Sequence, residues 1–173
     1  MKPMHSHAAV LLTAMLSAAG NAKAADTEVT WQDAQNYTDI ASNYGSQAKF
    51  QKALFNALDG VFAEQSARLP EGRTLSVTVT DFDMAGLMRT GYKGAYQRVV
   101  NQAQFPQMRL SYRLTDASGA VIAEQNDVLF QDLNFIDATN IVSQSELNEP
   151  FYYESGMVGK WFDNTFRLPD GQL

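Results

Sequence analysis

The chain has 173 residues, with 13 Lys+Arg against 19 Asp+Glu, a formal net charge of −6, two His and no Cys. That length suits one domain plus a short N-terminal segment. Both histidines, His5 and His7, sit at the extreme N-terminus. The rest of the chain therefore has no means to build a Ser-His-Asp triad, a Cys-His nucleophile, a histidine base or a Cys/His zinc site.

The N-terminus predicts an export signal. Lys2 supplies a short positive region, an apolar stretch runs from Ala8 to Ala19, and a small-x-small site follows at Ala22-Lys23-Ala24. The apolar run is well short of the roughly 20 residues that a membrane-spanning helix needs. No Cys follows it to carry an acyl group, so the mature form is expected in the periplasm without a membrane anchor. Cleavage after Ala24 removes two basic residues and no acidic one, leaving residues 25–173 more acidic than the whole. An acidic chain without a basic stretch argues against nucleic acid and against anionic membranes as partners. The expected organisation is a signal at 1–24 and a single domain over 25–173, which can bury roughly 68–70% of its unfolded surface without disulfide staples.

Along that domain, Glu28–Trp31 reads as a short strand with Val29 and Trp31 on one face. Gly45-Ser46 starts a helix, with Ser46 as N-cap. Phe50, Leu54, Leu58, Val61 and Phe62 then recur at helical spacing, while Lys49, Lys52, Asn56 and Asp59 take the other side. Pro70-Glu71-Gly72 ends the helix near Arg68. Thr74–Thr80 is the clearest strand, with Leu75, Val77 and Val79 on one face and Thr74, Ser76, Thr78 and Thr80 on the other. A second strand covers Gln107–Thr115, Met108, Leu110, Tyr112 and Leu114 pointing inward. The turn Asp116–Gly119 leads to a third strand from Ala120 to about Phe130. A last helix opens at Glu149-Pro150, striped by Tyr153, Met157, Trp161 and Phe162.

Strands with one wet and one packed face, and two helices with apolar stripes, predict an α+β two-layer sandwich. The expected sheet is antiparallel: the short N-terminal strand plus a three-strand meander, with both helices on one face. Two connections, about Met84–Pro106 and Gln131–Asn148, are long enough to suggest function.

Four segments carry a resemblance: VTWQD (29–33), RLPEGRTLSVTVTDFDMAG (68–86), FPQMRLSYRLTDASGAVIAE (105–124) and YYE…KWFDNTF (152–166). In this order and spacing the chain resembles the DUF3016 family, a set of small exported proteins of Gram-negative bacteria. The resemblance spans nearly all of the domain, and Thr78–Gly86 is its most specific piece. It implies export and one small domain, and it implies no activity.

One feature breaks the local rule. Asp81 and Asp83 continue the core-facing parity of Leu75, Val77 and Val79. An unpaired buried charge is too costly to keep there. Either the strand bulges, or the pair lies at an open edge with partners. In a meander the same rim gathers Asp81, Asp83, Arg89, Arg98, Asp127, Asp132 and Asn134, with Tyr92, Tyr96, Phe135, Tyr152 and Tyr153 as aromatic walls.

Four readings compete for that rim. Asp81 or Asp83 pairs with Arg89 or Arg98, or caps the glycine-bearing loop. The rim is a cleft for a peptide, a glycan or an envelope protein, with Asp81, Asp83, Arg89, Arg98, Asp132 and Tyr152 as the candidate binding residues. It holds a divalent cation, although D-x-D lacks the rest of a calcium loop. Or it is a two-carboxylate hydrolase, its acids about 7 Å apart on one strand face. Arg109 and Arg113, on one wet face, are an anion candidate or a solvated row. No catalytic residue, metal ligand set or cofactor is assigned, and no Gly-rich phosphate loop supports a nucleotide. The sequence thus points to an exported binding or interaction module, the alternative being a carboxylate-dependent metal or hydrolytic domain built on Asp81 and Asp83.

Overall fold

The structure is a computed structural model and describes residues 25–42, 45–91, 94–136 and 149–166. Residues 1–24, expected from the sequence to be an export signal, and Tyr92 lie outside the described residues. The elements are β1 (Asp26–Trp31), a 3₁₀ turn (Ala34–Asn36), α1 (Gln47–Ser66), β2 (Thr74–Asp83), β3 (Leu87–Thr90), β4 (Tyr96–Val99), β5 (Gln107–Thr115), β6 (Val121–Gln131) and α2 (Tyr152–Phe166). A four-stranded sheet runs in the order β1-β2-β5-β6, and β3 and β4 form a separate two-stranded ribbon. The architecture is an α+β two-layer sandwich, as the alternation on the strands implies.

Three features differ from the sequence expectation. β1 pairs parallel with β2, so the sheet is mixed. The cause is connectivity: α1 lies between β1 and β2 in the chain and supplies the long crossover that parallel neighbours require. The connection after Met84, expected to be loop, folds back on itself as the β3–β4 ribbon. The last helix begins at Tyr152 rather than at Pro150, because Phe151 has φ of 60° and breaks the helical path.

The core lies between the inner sheet face and both helices. Leu54, Leu58 and Phe62 of α1 face Leu75, Val77, Val79 and Phe82 of β2, Met108, Leu110 and Leu114 of β5, and Met157, Val158, Trp161 and Phe162 of α2. Phe50 and Val61 pack at its margin. Trp31 locks β1 to α1: its ring stacks on Phe55 at 4.4 Å and its Nε1–H donates to Asp59 Oδ1 at 2.9 Å. Asp59 is thus tied down rather than left on the solvent side. Ser46 is the N-cap residue of α1, although its side chain makes no capping bond. No helix among the described residues is long and apolar enough to cross a membrane.

Candidate functional site

The parity conflict at Asp81 and Asp83 is resolved by a bulge. Val79 pairs with Leu110 and Asp81 with the adjacent Arg109, leaving Thr80 as the extra residue. A one-residue insertion exchanges the two faces of a strand. Beyond it Phe82 and Met84 point into the core while both aspartates turn away from it.

Both carboxylates then meet specific partners. Asp81 accepts the Thr38 N–H at 2.7 Å and the Thr38 hydroxyl at 2.8 Å. Asp83 accepts Gln107 Nε2 at 2.9 Å. Burial raises the Asp83 pKa above 3.8, with the charges of Asp39 and Asp81 adding to the effect. The Asp81 bonds return the chain after the 3₁₀ turn to the sheet edge, where Asp39 bridges to Asp83 in parallel.

Arg98 does not pair directly with Asp81 or Asp83. Its Nη1 and Nη2 bond Asp39 Oδ2 and Oδ1 at 3.0 and 2.9 Å, and it also reaches the carbonyls of Ala41 at 3.1 Å and Gly86 at 3.3 Å. This planar fork joins β4, the Asp39 loop and the turn after β2. Partial burial opposes the ionised form of Asp39, but the hydrogen bonds from Arg98 and Ala41 and the Arg98 charge hold its pKa below 3.8. Beside the clamp, the buried Glu154 accepts the Ala85 N–H at 3.0 Å, and burial raises its pKa above 4.5. Gly86 has φ of 79°, and a Cβ there would meet the Val99 carbonyl oxygen at 2.5 Å. Only glycine fits that crossing. The segment 78–86 is therefore a structural hinge in which Thr80, Asp81, Asp83 and Gly86 each make a particular contact.

The remaining rim candidates do not gather there. Arg89 lies exposed on β3 and, among the described residues, its side chain makes no hydrogen bond or ion pair. Tyr96 is 62% exposed on β4. Asp127 sits in a second bulge, where Leu110 pairs with Val128 but Tyr112 with Gln125. It has φ of 53° and bonds Arg109 at 2.9 Å on the wet sheet face. Arg113 likewise pairs with Glu124 at 2.7 Å, so both arginines of that face already have partners. The described residues contain no cluster of three or more candidate metal ligands.

Asp132 and Tyr152 belong instead to an open groove of about 990 Å³ between the end of β6, residues 132–136 and one flank of α2. Tyr152, Tyr153, Gly156, Lys160, Asp163 and Asn164 recur along that flank, so helical spacing alone places them together. Phe130, Leu133, Phe135 and Ile136 form the opposite wall. Phe135 meets Tyr153 edge-on at 5.2 Å, and Tyr153 meets Tyr152 at 5.3 Å. At the floor, Asp132 is 5% exposed and takes Lys160 Nζ on both oxygens, at 2.9 and 2.7 Å. Leu133, 62% exposed, stands at the mouth.

Asp39, Glu154 and Lys160 are the participants that sequence reasoning missed. Two had a signal: Glu154 shares the stripe of Met157, Val158 and Trp161, and Lys160 the flank of Tyr152 and Tyr153. Asp39 lies in an irregular polar segment and had none.

No curated protein matches the chain. The model of the DUF3016 family, described as a protein of unknown function, matches residues 25–164. That match covers most of the chain, including the 78–86 hinge and the walls of the groove: the protein belongs to the DUF3016 family.

Proposed function

We propose that the protein is exported to the periplasm and acts there as a binding module for an envelope protein, peptide or glycan, with the β6–α2 groove as its binding site. The observation that carries this reading is the groove itself. It has the volume of small-molecule and side-chain pockets, roughly 300–1,000 Å³, and aromatic walls over one neutralised ion pair. Support for export comes from the small-x-small site ending at Ala24 and the start of the family match at residue 25.

Two measurements test it. Protein recovered from the periplasm of cells expressing the full sequence should have an intact mass beginning at Ala25; cytosolic protein beginning at Met1 contradicts export. In saturation-transfer NMR with indole, p-cresol and chitotriose, at least one probe should receive saturation. Leu133→Lys, at an exposed position, should abolish the transfer without lowering Tm. Failure of every probe, or indifference to Leu133→Lys, contradicts the groove as the site.

A further inference from the structure

Building on the groove as the binding site, we infer that its ligand is an extended, uncharged peptide segment that adds as a fifth strand to the Val128–Gln131 edge of β6 and places an apolar side chain in the groove. The sheet order leaves β6 paired only with β5 among the described residues, so its other edge offers backbone donors and acceptors. The bulge at Asn126–Asp127 divides that edge and isolates Val128–Gln131 as a straight stretch. Phe130 and Gln131 are themselves walls of the groove, so edge and groove are one continuous surface.

Strand parity then dictates what the peptide must look like. Phe130 pairs with the buried Met108 and points to the helix side, while Leu129 pairs with Arg109 and points to the wet side, 47% exposed. Side chains of an added strand alternate in the same way. One falls between the Phe130–Phe135 wall and α2, and its neighbours lie beside Leu129. The charges do not call for a charged ligand, because Asp132 is held by Lys160 and Asp163 by Arg68 at 2.7 Å.

Gly156 supplies an independent observation. It lies in the middle of α2 on the groove flank, and a Cβ there would meet nothing within 4 Å. Packing does not require glycine at this position, yet glycine lowers helix propensity. Its absent side chain deepens the groove. At Gly159, by contrast, a Cβ would meet Gln65 Nε2 of α1 at 3.8 Å.

The test uses the processed protein and capped, neutral hexapeptides carrying a central Leu, Phe or Tyr, with chitohexaose as the competing ligand class. Binding is followed by amide NMR and hydrogen exchange. The expected result is peptide binding with new protection among the Val128–Gln131 amides. Affinity should fall tenfold or more when alternate peptide nitrogens are methylated, since that removes ladder donors. Gly156→Leu should weaken binding at least as much while Tm holds or rises, and Gly60→Ala, away from the groove, should leave binding unchanged. Groove binding of chitohexaose but of no peptide overturns this inference and leaves the proposed function standing. Binding of neither overturns both. Peptide binding indifferent to N-methylation, or concentration-dependent dimerisation through β6 instead of peptide binding, also overturns the inference.

Discussion

The Arg98 clamp and the β6–α2 groove lie next to each other, sharing Tyr152 and Tyr153, and they treat their carboxylates in opposite ways. At the clamp, Asp81 and Glu154 bond backbone N–H groups of other segments, Asp39 takes the Arg98 guanidinium, and the cavity left over is only about 200 Å³. In the groove, Asp132 and Lys160 largely satisfy each other and leave the aromatic walls open. The first arrangement uses its polar atoms to hold chain segments together. The second leaves space, which is what a ligand needs. A cluster of acids in a sequence therefore does not mark a site until its hydrogen-bond partners are known.

The largest effect expected at the clamp comes from exchanging two neighbours. The Asp81→Phe/Phe82→Asp swap keeps the composition and the bulge but places a carboxylate at position 82, which is fully buried. The expected outcome is loss of cooperative folding, read by circular dichroism during urea titration. A folded swap variant would show that the bulge does not set the parity.

Next come the two cations. Arg98 is 11% exposed and its partner Asp39 24%, so Arg98→Met strands a half-buried carboxylate at a cost of about 2–4 kcal/mol. Lys160 is 47% exposed, and Lys160→Met should cost less, about 1–2 kcal/mol, because water can reach the vacated position beside Asp132. Adding Asp39→Asn to the first variant or Asp132→Asn to the second should recover part of each loss in a double-mutant cycle. Equal losses for the two arginine and lysine variants would erase the distinction drawn between clamp and groove.

The pH dependence separates members of the clamp. Glu154 binds its proton more tightly folded than unfolded, so the native state loses stability as pH rises above 4.5 through the raised pKa. Glu154→Gln should therefore gain stability at pH 7, with the gain vanishing below pH 4.5. Asp39 acts in the other direction: its contribution is present above 3.8 and is lost as pH falls through its lowered pKa. Urea midpoints of wild type and Glu154→Gln between pH 3 and 8 check both signs. A Glu154→Gln gain that is flat with pH would contradict the assignment.

The fold was legible wherever one face is dry. The α1 stripe and the alternation of Leu75, Val77 and Val79 follow directly from burial, and they appear as expected. What was not legible depends on contacts distant in sequence. The parallel pairing of β1 is set by where α1 returns the chain, and the β3–β4 ribbon is anchored by Arg98 to a loop 59 residues away. The candidate site divided along the same line. The break at Asp81 was visible, but its partner Thr38 is 43 residues away. Asp132 and Tyr152 were named without sight of Lys160, whose place on the aromatic flank of α2 was available from helical spacing.

The smallest effect is at glycine. Gly156→Ala and Gly60→Ala should each stabilise their helices by about 0.5–1 kcal/mol, since neither position has a neighbour within 4 Å of a new Cβ. If only the Gly60 variant is stabilised, Gly156 has a packing role and its link to the groove weakens.

The most direct measurement is an amide chemical-shift map of residues 25–173 titrated with the capped hexapeptides and chitohexaose. The expected shifts are confined to residues 128–136 and 152–164, with Asp81, Asp83 and Arg98 unmoved. Shifts centred on Asp81, Asp83 and Arg98, with the groove silent, would contradict it.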